Sequence, residues 1–567
     1  MTEINRRNLL LGGAAAAGVA AAGLGGFELL RKSSPGDSAA RGGNKPNILV
    51  VILDQLRAPQ WFPEQAQLDV LLPHIAKLRK ASVSFDRHYT ASNMCTPSRG
   101  VMTTGLYSHQ TGCFYTFGGP NQGALVGDSN HPITDESTLS PKFPTWGSLL
   151  RDQGYRTWWW GKWHLGADSD ARPGALEEYG FSGGTYPSPN GAPHQGLDRD
   201  GSIVDQFAEW FEAEAGKGPW CTTVSLVNPH DICYWPKWQE PKGVPQRFTA
   251  PAPNFETPDD LEANGKPTLQ RDYQQFMQMM QGPMPARGDE ARQAWARQLD
   301  VYLWLQQQVD EQVGRVLAKL ESRPDIDRGT VVVFTADHGE YGGSHGLGGK
   351  GAAAYDEAIH VPLYIRDPSG RLTPKPGDTR DHFTSSVDLA PLLVTIGAGG
   401  DQWRGDPRYA HLKDRANIAA IARDPKAKGR PWVAHATDDL NIEELGVALP
   451  TAAPGHILAV RTRAAKLAVY SEWRAGTMEA DPDAPHEREY YDYSTDQGRH
   501  ELVNHAGKNI PGEHELYALL EHEVTPEVNA PLPDPLAAAR EEGLANMRAI
   551  RAARKKTVQK MAGQGGN

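Results

Sequence analysis

An α/β fold is what this sequence predicts, on three observations. Four continuous apolar runs have the character of buried strands: NILVVIL (47–53), YRTWWW (155–160), CTTVSLV (221–227) and TVVVFT (330–335). Each run halts at hard or titratable groups. The chain, with 567 residues, 39% of them hydrophobic and 15 of them tryptophan, is several times longer than an average domain and can furnish a large core.

The N-terminal stretch differs in character from the rest of the chain. In NRRNLLLGGAAAAGVAAAGLGG, Arg6 and Arg7 precede a weakly apolar Gly/Ala-rich run with no acidic residue before Glu28. So many Gly and Ala make a poor transmembrane span, which needs about 20 strongly apolar residues. The segment resembles a twin-arginine export signal, with Ser38-Ala39-Ala40 as a small-residue cleavage site. Residues 1–43 are therefore expected to be signal and linker, and the protein periplasmic or secreted by the twin-arginine machinery.

The formal charge of -11 argues against a nucleic-acid partner, which would call for a basic stripe. Four cysteines are too few for a disulfide framework, and none forms a Cys-x-x-Cys pair. For Cys95, a buried thiol or half of a disulfide is the ordinary reading. Its surroundings argue otherwise. NMCTPSRGVMTTG (93–105) predicts a helix with Pro97 at an early position, so residue 95 faces the positive end of a helix dipole.

The four apolar runs end at Asp54-Gln55, at Lys162-Trp163-His164, at His230-Asp231 and at Asp337-His338. Ligands of open α/β sheets bind outside the carboxyl ends of the strands, so these endings can converge on one site. Taken singly, each has a structural reading: Asp54 as a turn former or helix cap, His230 as a loop histidine, Lys162 as a solvated loop end. Their coincidence favours function. Asp54, Asp337 and the amide oxygen of Gln55 suit one hard divalent cation such as calcium, with His338 adding an imidazole. Lys162, His164, His230 and Lys350 place cationic donors around an anion.

These motifs resemble the type I sulfatases of the alkaline phosphatase superfamily. CTPSRG matches the family's Cys-x-Pro-x-Arg hallmark, and GYRTWWWGKWHLG (154–166) its second signature. DEQVGRVLAKLE, TVVVFTADHGEYGGSHG, AIHVPLYI, ILAVRTRAAKLAVY and EYYDYSTDQGRHELVN are similar to its downstream blocks. The likeness runs from about Lys45 to Asn504. Asn93 and Trp160 stand where the family has small or aliphatic residues. Gln55 stands where many members have a second Asp, and the Asp-Gln pair is similar to choline-sulfatase-like and phosphonate-monoester-hydrolase-like branches.

The resemblance implies a large mixed sheet sandwiched by helices with a smaller C-terminal antiparallel sheet-plus-helix subdomain. It also implies that a formylglycine-generating enzyme converts Cys95 to formylglycine, which joins Asp54, Gln55, Asp337 and His338 around the metal. One hydroxyl of its hydrate attacks the sulfur of a sulfate ester, and deprotonation of the other then expels sulfate. Arg99 would orient the modified residue, Lys162 and Lys350 hold sulfate oxygens, His164 assist the diol and His230 act as general acid. His109 and His345 are read as scaffold residues.

The expected organisation is signal and linker (1–43), catalytic domain (44–400), C-terminal subdomain (401–525) and a charged helical tail (526–567). The Pro-rich stretch 237–260 is either a surface loop or a wall of the substrate entrance. The expected activity is hydrolysis of a sulfated small molecule or sugar. A phosphonate monoester or phosphodiester hydrolase is the alternative, and a non-catalytic binding protein on the same scaffold is disfavoured because no motif position is missing.

Overall fold

β1 (Asn47–Asp54) divides its side chains between two apolar clusters, Leu49, Val51 and Leu53 on one face and Ile48, Val50 and Ile52 on the other. A strand buried on both faces needs helices on both. The computed structural model describes residues 45–545 and 548, apart from 61–62, 115, 117–137, 238–240, 439–452, 475–476, 478–479 and 485. The expected leader, with Arg6, Arg7 and Ser38 to Ala40, lies outside the described residues, as do residues 549–567 of the expected tail.

Among the described residues, β1 joins β2 (Val83–Tyr89), β3 (Arg156–Gly161), β4 (Ser182–Gly183), β5 (Trp220–Pro229), β6 (Thr330–Ala336), β7 (Leu363–Arg366) and β8 (Thr379–Ser385) in one sheet. Its order is β4-β3-β5-β1-β6-β7-β2-β8. β7 pairs antiparallel with both neighbours, and the other pairings are parallel, so the sheet is mixed. One consequence matters most. β3, β5, β1 and β6 are consecutive and parallel, so the residues after Gly161, Pro229, Asp54 and Ala336 emerge side by side at one edge.

Helix α1 (Cys95–Thr104) comes after β2 and is buried along its whole length. α2 (Gln195–Glu214), through Ile203, Val204 and Phe207, and the long α3 (Gly288–Glu321), through Leu299, Leu305, Val309 and Val313, cover one face. α4 (Leu389–Ala398) covers the other. β9 (Val433–Asp438), β10 (His456–Arg461), β11 (Ala465–Ser471) and β12 (Glu487–Asp492) form a separate four-stranded antiparallel sheet, with helix α5 (Pro511–Leu519) after it. β9 reaches the first sheet: Ala436 N donates to Ala91 O at 2.9 Å and His435 Nδ1 to Thr90 O at 3.0 Å.

Residues 534–545 are helical. The charged composition of this stretch hides an apolar inner face, on which Leu536 and Ala539 join the core and Arg540 Nε donates to His109 O at 2.9 Å. Among the described residues no helix is long and apolar enough to cross a membrane.

Several buried histidines away from the strand ends make stability depend on pH. Burial pushes His88 down to about 3, and His360, His411 and His435 down to about 4. These rings are neutral in the fold, whereas the unfolded chain protonates them as pH falls through about 6.5, so protons favour unfolding between that pH and the folded values. Stability should decline from about pH 6.5 downward by on the order of 1 kcal/mol per ring at pH 5. A urea midpoint at pH 5 equal to that at pH 7 would contradict this.

Candidate active site

Arg99, on the first turns of α1, is 1% exposed and touches three of the four strand ends. Its Nε donates to Asp337 Oδ2 at 2.9 Å and its Nη2 to Asp54 Oδ2 at 3.0 Å. Its Nη1 donates to Lys162 O at 2.7 Å and to Ser225 Oγ at 2.9 Å. Gly161 allows that approach. Its φ is +89°, and a Cβ there would lie 2.0 Å from Ser225 O, so only glycine lets β3 turn into Lys162 beside β5.

Cys95 is the first residue of α1, with its Sγ 3.1 Å from His338 Nε2 and 3.9 Å from Asp54 Oδ1. The His338 Nδ1, 3.1 Å from the carbonyl of Gly339, carries the hydrogen, which turns Nε2 toward Cys95. One ligand atom from each of Asp54, Cys95, Asp337 and His338 lies within 4.8 Å of the others, all buried. This donor set fits a divalent cation. The two carboxylates face each other, and burial together with Asp54 raises the Asp337 pKa. Positive charge would relieve that repulsion.

Cations surround this point. Lys162 Nζ lies 2.5 Å from Asp54 Oδ2. Burial opposes ionisation of Asp54, but Lys162, His230 and Arg99 hold its carboxyl well below the usual carboxylate range. Burial likewise opposes ionisation of Cys95, yet Lys162, Lys350, His338 and a hydrogen bond with His164 pull its thiol far down. The surroundings of position 95 therefore favour negative charge. His230, at the end of β5, is pushed to about 3 by burial, Lys350 and Lys162, so its ring is neutral.

Gln55 takes a left-handed backbone conformation (φ 70°) and donates its backbone N–H to Asp337 Oδ1 at 3.1 Å. Its Oε1 accepts from Lys350 Nζ at 2.6 Å and from Cys233 Sγ at 3.0 Å, while its Nε2 donates to Glu340. The amide thus bridges Lys350 to the acids, and ligating an ion would require it to turn from Lys350.

All of the residues expected from the sequence (Asp54, Gln55, Cys95, Arg99, Lys162, His164, His230, Asp337, His338 and Lys350) are buried and meet at this edge. Four supporting groups escaped sequence reasoning. Ser225 and Glu340 hold Arg99 and Gln55, Cys233 sits beside Lys350, and Asp170 Oδ1 accepts from the His164 backbone at 3.0 Å. His-Asp-Ile-Cys in one short turn was the available signal for Cys233. Ser225 and Glu340 lie within quoted stretches, yet nothing local in the sequence names their remote partners, and Asp170 lies just past the second signature. Asn93, at a position where a small residue was expected, donates Nδ2 to Ala353 O at 3.0 Å and ties α1 to the loop after Lys350.

Fold and site together define a hydrolase of the alkaline-phosphatase-like superfamily. The Sulfatase family model matches residues 46–397, and the chain belongs to that family: it is a sulfuric ester hydrolase. It is 28% identical to the Escherichia coli sulfatase YidJ over 384 residues, which are 62% of this chain and 68% of that one. It is 25% identical to the choline-sulfatase of Rhizobium meliloti over 394 residues, 62% and 67% of the two chains. Among solved structures, a phosphonate monoester hydrolase from Silicibacter pomeroyi superposes with a TM-score of 0.64 at 21% identity, covering 86% of this chain and 96% of that one.

The placement of Arg99 generates a stability prediction. Arg99→Met should leave Asp54 and Asp337 buried without their shared cation, at a cost of about 3–5 kcal/mol. Urea unfolding of the metal-free variant should show a clearly lowered midpoint. A midpoint matching the wild type would mean that Arg99 does not hold the two acids together.

Proposed function

We propose that this sulfatase cleaves the sulfate monoester of a small alcohol or sugar at residue 95, after oxidation of the Cys95 thiol to formylglycine. The observation that carries the reading is the convergence of Lys162, Lys350, His164 and His338 on one buried position that is strongly biased toward an anion. Sγ stands there in place of an oxygen of the hydrated aldehyde. A divalent ion, calcium in our reading, would be held by Asp54, Asp337, His338 and residue 95, with Gln55 as a further oxygen donor, and would supply positive charge that favours the ionised hydroxyl.

The chain's own groups do the rest. Arg99 orients residue 95 by fixing Asp54 and Asp337 on either side of it. Lys162 and Lys350 donate to the sulfate oxygens in a site from which burial excludes bulk water, where fixed charge is worth most. His164, oriented through its backbone by Asp170, holds the proton of the hydroxyl. His230 presents a ring N–H to the leaving oxygen. Its neutrality suits an enzyme waiting for substrate, because the arriving anion itself favours protonation.

The Lys162-His164 pair supports sulfate over phosphonate. A sulfate monoester spreads one charge over three non-bridging oxygens, which several donors can match. A phosphonate puts a carbon substituent where one of those donors would sit. The same reading keeps residues 44–400 as the catalytic part, 401–525 as the C-terminal subdomain and 526–567 as a charged helical tail. It takes residues 1–43 as a twin-arginine signal delivering the enzyme to the periplasm or outside, after maturation by a formylglycine-generating enzyme.

Two measurements test it. Mass spectrometry of the peptide spanning Cys95, from enzyme coexpressed with a formylglycine-generating enzyme, should show an aldehyde, and Cys95→Ala should lose turnover while remaining folded. An active Cys95→Ala variant would remove the mechanism. On matched aryl sulfate and aryl phosphonate substrates, kcat/KM should be higher for the sulfate, and Lys162→Ala should lower it by about 10²- to 10³-fold. A wild-type preference for the phosphonate would reverse the choice of substrate class.

A further inference from the structure

The loop bearing Lys350 rests on a second buried group of titratable side chains that ester hydrolysis does not employ. We propose that His345, Glu357, Glu501 and Asn254 form a second divalent-cation site, of the nitrogen- and oxygen-ligated kind that takes zinc. The proposal does not depend on which ester the enzyme cleaves.

One ligand atom from each of His345, Glu357 and Glu501 lies within 4.8 Å of the other two, and all three residues are buried. The His345 ring is set up as a ligand. Its Nδ1 lies 2.7 Å from Glu256 Oε2, and an ionised carboxylate only accepts, so Nδ1 carries the hydrogen and Nε2 offers a lone pair, which faces Asn254 Nδ2 at 3.2 Å. A carboxylate holding one imidazole nitrogen is how proteins orient a metal-binding histidine by the other. The ring is clamped flat against Tyr355, with centroids 3.7 Å apart and planes 15° from parallel.

Two oxygens at the site lack hydrogen bonds. Glu357, 2% exposed, accepts from Asn254 Nδ2 at 2.8 Å on Oε1, but its Oε2 receives no hydrogen bond and has His345 Nε2 3.8 Å away. The Oδ1 of the fully buried Asn254 has no partner either; its Nδ2 is the atom that faces His345 Nε2 and Glu357 Oε1, so ligation by Asn254 requires its amide to turn over. Leaving a charged oxygen buried and unbonded is costly, and a cation removes that cost.

Charge points the same way. Glu256, Asp356, Glu357, Glu489 and Glu501 share this network with Lys266, Lys466 and Arg461. Five carboxyl groups face three permanent cations, an acidic excess that a divalent ion would offset. One imidazole, two carboxylates and an amide oxygen make a donor set suited to zinc. A cleft lined by Phe255, Glu256, Gln274, Met277, Trp295 and Gly346 lies next to this group, on the side of Glu256.

An ion here would brace the active-site loop at its base. Gly339 N donates to Ala358 O at 2.8 Å and Glu340 N to Glu357 O at 3.0 Å, so the ligand-bearing segment already pairs with the strand end that supplies Asp337 and His338. His345 stands between that strand end and Lys350.

Crystals of the full-length enzyme grown with zinc, measured on both sides of the zinc absorption edge, should show an anomalous peak between His345 Nε2 and Glu357 Oε2. Absence of that peak overturns the proposal. In solution, Glu256→Gln, which leaves every proposed ligand intact, should weaken zinc binding to the Asp337→Asn enzyme by about 10- to 100-fold. Zinc affinity unchanged by Glu256→Gln would also overturn it, since a merely structural Glu256 has no reason to alter ion binding.

Discussion

One guanidinium organises the catalytic edge. Arg99 is buried between Asp54, the last residue of β1, and Asp337, just after β6, and it also bonds the carbonyl of Lys162, just after β3, and the hydroxyl of Ser225, on β5. Four parallel strands deliver these groups, and α1 delivers the arginine four residues after Cys95, about one helical turn away. The planar fork of arginine suits this task because its donors are fixed relative to one another. A lysine has a single nitrogen and would reach fewer of the four partners at once.

The same arrangement is a standing liability. Two carboxylates packed together, a lysine 2.5 Å from one of them and a thiol pulled toward its ionised form are not a low-energy way to fill a protein interior. Burial raises Asp337 even with Arg99 alongside. The covered sheet carries that cost: apolar clusters on both faces hold the strand ends rigid, so the charged groups cannot relax apart. Functional sites of this kind are where stability is traded for preorganised charge.

Much of this was legible from residue order. A continuous apolar run with Asp, Lys or His at its end identifies a strand and its functional terminus in one reading, and parallel pairing of β3, β5, β1 and β6 turns four separate endings into one cluster. The hallmark at Cys95 singled that residue out as the candidate nucleophile, and the structure sets it beside Asp54, Asp337 and His338. Contacts between remote segments could not be read in this way. Ser225 meets Arg99 across 126 residues and Glu340 meets Gln55 across 285; both lie within quoted stretches, but nothing in those stretches tells which remote partner a supporting hydroxyl or carboxylate will meet. The left-handed turn at Gln55 is another such case. Its sequence position suggested a ligand, while its backbone aims the amide at Lys350, Cys233 and Glu340.

Gln55 explains how the two halves of the catalytic edge are coupled. Its backbone N–H holds Asp337, its side-chain oxygen holds Lys350, and its carbonyl accepts from the buried Tyr302 hydroxyl on α3 at 2.7 Å. A residue tied at three points cannot shift one contact without disturbing the others. Replacing it with a shorter acid would put a third carboxylate beside Asp54 and Asp337 and shorten the reach to Lys350. An amide is neutral, so it can accept from a lysine and donate to Glu340 without adding to the negative charge that Arg99 already balances. The Asp-Gln pair at the end of β1 therefore suits a site in which Lys350 must stay close to the metal-type cluster while remaining available to an anion.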